Sequence, residues 1–425
     1  MLTMNEAFLW YLWKYRLYNK DLNTTDGETV IVEHPGYQNH DSGPDFFNAR
    51  VRIGDTRWAG NVEIHIRSSD WFKHEHHYDR AYDNIILHVV HDSDVTIKRA
   101  DGQVIPVVEL KNGFESTKWS DYQKLANAPG WVPCAKQIAN IDDFIIQQWL
   151  DRVLVSRLEK KTQFITNLLT EFKGNWSECF FILLARNFGF KVNALPFELL
   201  ARSIPLKILT RHAGNLFQLE ALLFGQAGFL AEKFNDDYPF QLQKEYRYLQ
   251  NKLGLQPLEK HLWKFGRLRP GNFPTIRLAQ FAFCIHQNAH LISRIIEASS
   301  FKEIQSLFNV SAGAYWNNHY LMDKASEHCV KTIGKASIDN IIINTIAPFL
   351  FVYGKTEMEL HLTDKAFNLL EDCPSEKNII INGWKKIGVN AKTAGRSQAL
   401  IELKTAYCAE KKCLTCGIGI KLLNQ

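Results

Sequence analysis

The residue types best placed to do chemistry here are two carboxylates and an imidazole: Asp45, Glu63 and His65. They sit in the stretch Gly43–Ile66, which reads as two strands joined by a turn at Gly54-Asp55. Phe47, Ala49, Val51 and Ile53 alternate with Asn48, Arg50 and Arg52. Beyond the turn, Trp58, Val62, Ile64 and Ile66 alternate with Arg57, Asn61, Glu63 and His65. Glu63 and His65 therefore leave one face of the second strand. A carboxylate entering a hairpin and a carboxylate-x-base leaving it can grip a divalent cation and orient a water. Regular pairing across a two-residue turn would aim Asp45 away from Glu63. The site requires Asp45 to precede the ladder, or a bulge at Phe46-Phe47 that resets the alternation.

Two other groups have ligand chemistry. Near the C-terminus, Cys408 precedes Cys413-x-x-Cys416, with Lys411 and Lys412 between them. Two thiolates on one tight turn with a third nearby are zinc or iron–sulfur ligands, and the candidates for a fourth are Cys134, Cys329, Cys373 and His328. A bound metal would tie the last segment to the body of the protein. Histidines crowd the N-terminal part: His34, His40, His65, His74, His76, His77, His88 and His91 are eight of the 15 in the chain. His74-x-His76-His77, flanked by Asp70 and Asp79, offers a competing His-based zinc or iron hydrolase site. His88 lies within an apolar strand and reads as a core histidine.

Pro44-Asp45 followed by Glu63-Ile64-His65 resembles the PD-(D/E)XK nuclease superfamily. The resemblance implies Mg²⁺ or Mn²⁺ held by Asp45 and Glu63, with His65 in place of the usual lysine that positions the attacking water. It also makes Glu6 the acidic residue of the first helix. One remote and three clustered cysteines resemble the iron–sulfur staple of some nucleases, at a different spacing. Over most of its length the chain resembles an uncharacterised bacterial family containing a domain of unknown function. That likeness is carried by PG-x-x-N-x-DSGPDF from Pro35, W-x-G-x-VEIH-x-x-SSDW from Trp58, RPGNFP-x-x-R from Arg269 and YC-x4-C-x2-C from Tyr407.

The elements that must position these groups follow from periodicity. The chain has 425 residues, 46% hydrophobic and 22% charged, values that suit a globular protein of two or three domains. Asn5–Tyr18 predicts a helix capped by Asn5, with Phe8, Leu9, Leu12 and Trp13 on one side. Glu28–Glu33 and Asn84–His91 predict strands, and Val95–Lys98 with Val104–Leu110 a hairpin around Asp101-Gly102. Residues 119–140 read as a linker with Pro129-Gly130 and Pro133. Beyond it, Asn140 caps a helix with Asp142 and Asp143 in its first turn, and helical spacing runs to about Asn309. The expected fold class is α+β: a nuclease-like mixed α/β core in residues 1–118, then a large, mostly helical region in 141–425 with the cysteine cluster.

The net charge is +5, and from Ser375 to Gln425 nine Lys/Arg stand against three Glu. Lys264, Arg267 and Arg269 around Phe265, with Arg277 beyond, form a basic, aromatic segment suited to phosphate contact and base stacking. The expected partner is nucleic acid, DNA in the first instance. No apolar run reaches membrane-spanning length, and the first twenty residues carry charges unlike a signal peptide, so a cytoplasmic location is expected. The sequence thus supports a metal-dependent nuclease. Its alternatives are a degenerate nucleic-acid-binding scaffold and a His-rich metallohydrolase.

Overall fold

The computed structural model describes residues 4–424 except Lys20, His40, Asp41, Ala100, Asp101 and Ala289. His40 and the Asp101 turn position therefore lie outside the described residues. The architecture is α+β, and the chain divides into two units. The first comprises Met1–Trp149, Lys386–Gly388 and Leu403–Gln425; the second comprises Leu150–Lys385 and Val389–Glu402.

The first unit is built on a mixed sheet. Helix α1 (Glu6–Lys14) starts at Asn5, whose side chain accepts from Phe8 N at 3.0 Å. It buries Phe8, Leu9, Tyr11, Leu12 and Trp13. The strands are β1 (Leu22–Asn23), β2 (Thr29–His34), β3 (Tyr37–Gln38), β4 (Phe46–Ile53), β5 (Thr56–Arg67), β6 (Ile85–Asp92) and β7 (Val107–Glu109). Their order is β1-β2-β4-β5-β6-β7, with β3 also paired to β4. The meander β2-β4-β5 is antiparallel, whereas β6 runs parallel to β5 and β7 parallel to β6. A parallel neighbour demands a crossover, supplied by residues 68–84 with the one-turn helix α2 (Asp70–Lys73) and two short 3₁₀ turns. The predicted hairpin of Val95–Lys98 with Val104–Leu110 is reduced to one bridge, Lys98 to Val104. The remainder of its second arm supplies β7, because Val107 and Val108 are drawn into the sheet interior beside β6.

Residues 119–140, expected to be a linker, include most of helix α3 (Ser116–Ala126) and a 3₁₀ turn at Ile138–Asn140. Asp142, rather than Asn140, caps helix α4 (Asp143–Glu171), accepting from Phe144 N at 2.9 Å. The second unit is mostly helical, with a two-stranded ribbon at His319–Leu321 and Lys324–Ala325 that helical periodicity did not announce. Its stretch Lys335–Thr356 is long and apolar enough to cross a membrane, and 72% of its most apolar window is buried inside the protein. A π-helical segment, Ile342–Ile346, interrupts it.

Candidate metal centre

The hairpin register decides where Asp45 points. From Ile53 paired with Thr56 down to Ala49 paired with Gly60, the ladder is regular, and its continuation would set Asp45 opposite Ile64. The register instead shifts between Phe46 and Ala49, so that Phe46 pairs with Val62. Asn48 absorbs the extra residue at φ +56°, a left-handed conformation that asparagine tolerates better than most side chains. Asp45 now lies opposite Glu63, and its N–H donates to Glu63 Oε2 at 3.1 Å. The bulge does what the site requires.

Asp45 is held from two directions. Its Oδ2 accepts from Ile64 N and from the indole Nε1 of Trp10 on α1, each at 3.0 Å. Glu63 and His65, both nearly inaccessible at 4% and 1% exposure, share a face of β5. His88 of β6 is paired in register with Glu63 and joins them. The crossover then returns His74 and His76 onto the same face. His74 Nδ1 lies 3.1 Å from His65 Nε2, which lies 3.5 Å from Glu63 Oε1. His76 Nε2 lies 3.3 Å from Glu63 Oε1, is buried, and makes no hydrogen bond. Ring nitrogens of His65, His74 and His76 all fall within 4.8 Å of one another. The hairpin carboxylates and the crossover histidines, which the sequence offers as rival sites, form one cluster.

Packing beneath it explains the convergence. Trp71 and Tyr82, at either end of the crossover, sink into a cluster with Ile85, Ile97 and Ile105. Tyr82 stacks on the His76 ring at 3.8 Å between centroids, and Trp71 meets His76 and His88 at 5.4 and 5.6 Å. Asp70 and Asp79 serve local turns, accepting from Arg67 N and Ala81 N. His77 packs against Phe72 and Tyr78 and stays out of the cluster. His34 accepts from Gly36 N in a turn.

The electrostatics are those of unpaired acids among neutral bases. Burial raises the Asp45 carboxyl well above the carboxylate range, the charge of Glu63 adds to this, and the Ile64 and Trp10 donors oppose it. Burial also raises Glu63, against the pull of the Asp45 N–H. No Lys or Arg pairs with either among the described residues. Burial, then the neighbouring imidazoles of His88, His76 and His74, hold His65 neutral far below the usual range. His76 is likewise lowered by burial. The Glu6 carboxyl on α1 is raised by burial, with His74 as its strongest opposing influence. His65 Nδ1 meets His88 Nε2 at 2.8 Å, the outer contact that fixes ring orientation in metal-ligating histidines. His88 is fully buried, as its place in an apolar strand predicts, and it reaches His65 from there.

Other expected site residues lie elsewhere. Lys264, Arg267 and Arg269 are exposed on a loop of the second unit. Arg277 is not a surface cation: it is 5% exposed. It donates to Gln280 Oε1 at 3.0 Å, Asn272 Oδ1 at 2.6 Å and Ser337 Oγ at 3.1 Å, beneath the ring of Phe190. Its place one turn inside the helix Pro274–Gln287, with buried neighbours on both sides, accounts for this. Cys408, Cys413 and Cys416 belong to the first unit and line one cavity with Cys134. Cys329, by contrast, is exposed, and Cys373 is buried within the second unit.

No curated protein and no solved structure matches the chain. A family model described as a protein of unknown function, DUF2851, matches residues 6–379, from the start of α1 to Ile379 in the second unit. With most of its length covered, the chain belongs to that family.

Proposed function

We propose that Glu63, His65, His74 and His76, with Asp45 beside them, hold a divalent metal for hydrolysis of phosphodiesters, nucleic acid being the substrate class. The observation that carries this is the convergence of crossover and hairpin on two atoms, Glu63 Oε1 and His65 Nε2. Donors bound at roughly 2.0–2.1 Å around one tetrahedral ion stand about 3.3 Å apart. Three successive contacts here, 3.1, 3.5 and 3.3 Å, lie near that edge, and the ring nitrogens of His65, His74 and His76 all lie within 4.8 Å of one another, with Glu63 joined to them through His65 and His76. The orphaned nitrogen of His76 and the uncompensated carboxylates fit a cation as well. Three imidazoles favour manganese, iron or zinc over magnesium.

A bound cation supplies Lewis-acid activation of substrate and water. The protein's own groups do the rest. His88 holds His65 with its Nε2 lone pair toward the cluster, which commits His65 to ligation instead of proton transfer. Asp45 is held rigid by Trp10 and the Ile64 amide. Glu6, half-buried and electrostatically tied to His74 and His76, is the proton acceptor. The choice of phosphodiesters draws on the Pro44-Asp45, Glu63-x-His65 pattern. The order of helix, three-strand meander, crossover and parallel strand also supports it.

The test is cleavage of single- and double-stranded DNA by purified protein supplied with Mn²⁺, Fe²⁺, Zn²⁺ or Mg²⁺. Glu63→Ala and His74→Ala should each lose metal and at least about a hundredfold in rate. Glu6→Gln should keep the metal and lose a similar factor. Metal binding without cleavage of any nucleic acid would leave a non-hydrolytic role for the site.

A further inference from the structure

We infer that Cys134, Cys408, Cys413 and Cys416 form a second metal centre, with Cys134 as the fourth ligand that spacing left open. The four line one cavity together with Leu125, Pro133, Tyr407, Lys412 and Gly419. All four are free thiols. Each interacts electrostatically with others of the set: Cys134 with Cys416, Cys408 with Cys134, Cys413 and Cys416, and Cys413 with Cys134 and Cys416. Thiols more than 270 positions apart in sequence thus line the same cavity. Cys284, a buried free cysteine of the second unit, instead has an amide for its partner, its sulfur accepting from Asn288 Nδ2 at 3.9 Å.

The local backbone is shaped around the sulfurs. Cys413 and Cys416 close a tight turn, with Cys416 N donating to Cys413 O at 3.4 Å. The N–H groups of Gly419 and Ile418 are directed at the Cys416 sulfur, backbone donors of the kind that orient a sulfur ligand. The turn has no room for side chains on either following glycine. A Cβ on Gly419 would come within 2.2 Å of Cys413 O, and one on Gly417 within 2.8 Å of the Trp149 ring. On the other arm, the Pro133-Cys134 turn is fixed by Ala135 N donating to Val132 O at 3.1 Å and by Lys404 Nζ bonded to Trp131 O at 2.6 Å. Four thiols binding a metal each release a proton to solvent and leave excess negative charge. Lys404 beside Cys408, Lys411 beside Cys413, and Lys412 in the cavity wall supply the positive charge that offsets it.

Among the described residues, only His65, His74 and His76 have three ligand atoms all within 4.8 Å of one another. No three of the four sulfurs thus lie all within 4.8 Å of one another, whereas four thiolates on one zinc at about 2.3 Å stand roughly 3.8 Å apart. A set looser than a single-zinc site makes a four-iron cluster held by four thiolates the occupant we infer. The centre joins the Cys134 segment to the C-terminal segment, so its role is to fasten Leu403–Asn424 onto the first unit.

The experiment is metal, iron and acid-labile sulfide analysis of protein purified without oxygen, for the wild type, Cys134→Ser and Cys329→Ser. Four irons with a brown chromophore, lost in Cys134→Ser and kept in Cys329→Ser, is the expected result. One zinc with the same dependence on Cys134 also supports a four-thiolate centre and makes the occupant a single ion. Substitution by Co²⁺ then separates it from the histidine site, because only thiolates give an intense near-ultraviolet charge-transfer band. Should Cys134→Ser fail to fold, alkylation of the wild type decides. All four thiols should resist iodoacetamide together and become reactive together on chelation. Alkylation of Cys134 while the other three remain protected, or unchanged metal content in Cys134→Ser, overturns the proposal. So does the absence of any thiolate-held metal.

Discussion

Each unit buries a polar network, and the two are neutralised in different ways. In the second unit, Glu402 binds Lys160 and, at 3.2 Å, Arg157. Gln398 Oε1 accepts from Arg157 at 2.6 Å and from Lys161 at 2.8 Å, and Lys161 also reaches Asn344 Oδ1 at 3.0 Å. Here the buried acid meets its counter-charges directly within the chain. In the first unit, Asp45 and Glu63 face neutral imidazoles and backbone amides. The network of the second unit meets its counter-charge within the chain, and that of the first unit meets only neutral groups among the described residues, which is the deficit that the proposed metal would fill.

Neutralising one acid in each network sharpens this contrast and carries the largest expected effect. Glu402→Gln should cost about 3 kcal/mol in denaturant unfolding, since it leaves Arg157 and Lys161 buried beside a neutral amide. Without divalent metal, Glu63→Gln should be neutral or stabilising by about 1 kcal/mol, because it removes a like charge from beside Asp45. Destabilisation of equal size in both would break the comparison.

Metal should act on one network alone. Saturating Mn²⁺ or Zn²⁺ at about a hundred times its Kd should stabilise the wild type by about 2.7 kcal/mol. A thermal scan of a variant combining His74→Ala with an unaltered cysteine set should show most of that gain gone. Persistence of the full shift would place the ion elsewhere.

A third expectation concerns pH. Burial, and next the charge of Arg157, push Lys161 down to about 7. A lysine depressed in the folded state is charged in both states below that value, so the penalty is then fully present. It is relieved as pH rises from about 7 toward the unfolded value near 10.4. Stability should therefore climb by about 2 kcal/mol between roughly pH 7 and 9.5, and Lys161→Met should flatten that slope. A wild-type profile already flat over this range would refute it.

The smallest effects test the basic loop of the second unit. Arg267→Ala with Arg269→Ala should leave stability within about 0.5 kcal/mol and weaken DNA binding, lowering the salt slope by about two. Arg277→Ala should instead destabilise by about 2 kcal/mol, because it removes a buried guanidinium and leaves the buried Gln280 without that partner. Equal effects of the exposed and buried arginines on binding would remove the distinction between them.

Much of the site is readable in the sequence because its parts are local. Alternation along Gly43–Ile66 puts Glu63 and His65 on one face, and the need for a bulge is legible, although it falls at Phe47-Asn48, one residue beyond the expected Phe46-Phe47, because Asn48 takes the left-handed conformation. The α1 helix, its Asn5 cap and the apolar strand of β6 follow from short-range pattern. His74 and His76 are visible as ligand types, but nothing in a crossover of mixed polar and aromatic residues says which way its side chains turn. His88 reads as a core residue from its apolar neighbours and is fully buried; only its contact with His65 lies beyond local pattern. Arg277 looks like part of a basic patch because proximity in sequence need not be proximity at the surface.

Taken alone, the order of residues dictates the chemistry available: two acids on a hairpin, imidazoles in the connection after it, and a CxxC turn with a third cysteine at the tail. Which of them meet is settled by packing in three dimensions. A one-residue shift in register reverses the face of a strand, and burial of Trp71 and Tyr82 swings the crossover over β5. Cys134 joins the tail cysteines because two distant turns close on one cavity. Spacing along a chain fixes distances only over a few residues; beyond that, the packing of the core sets them.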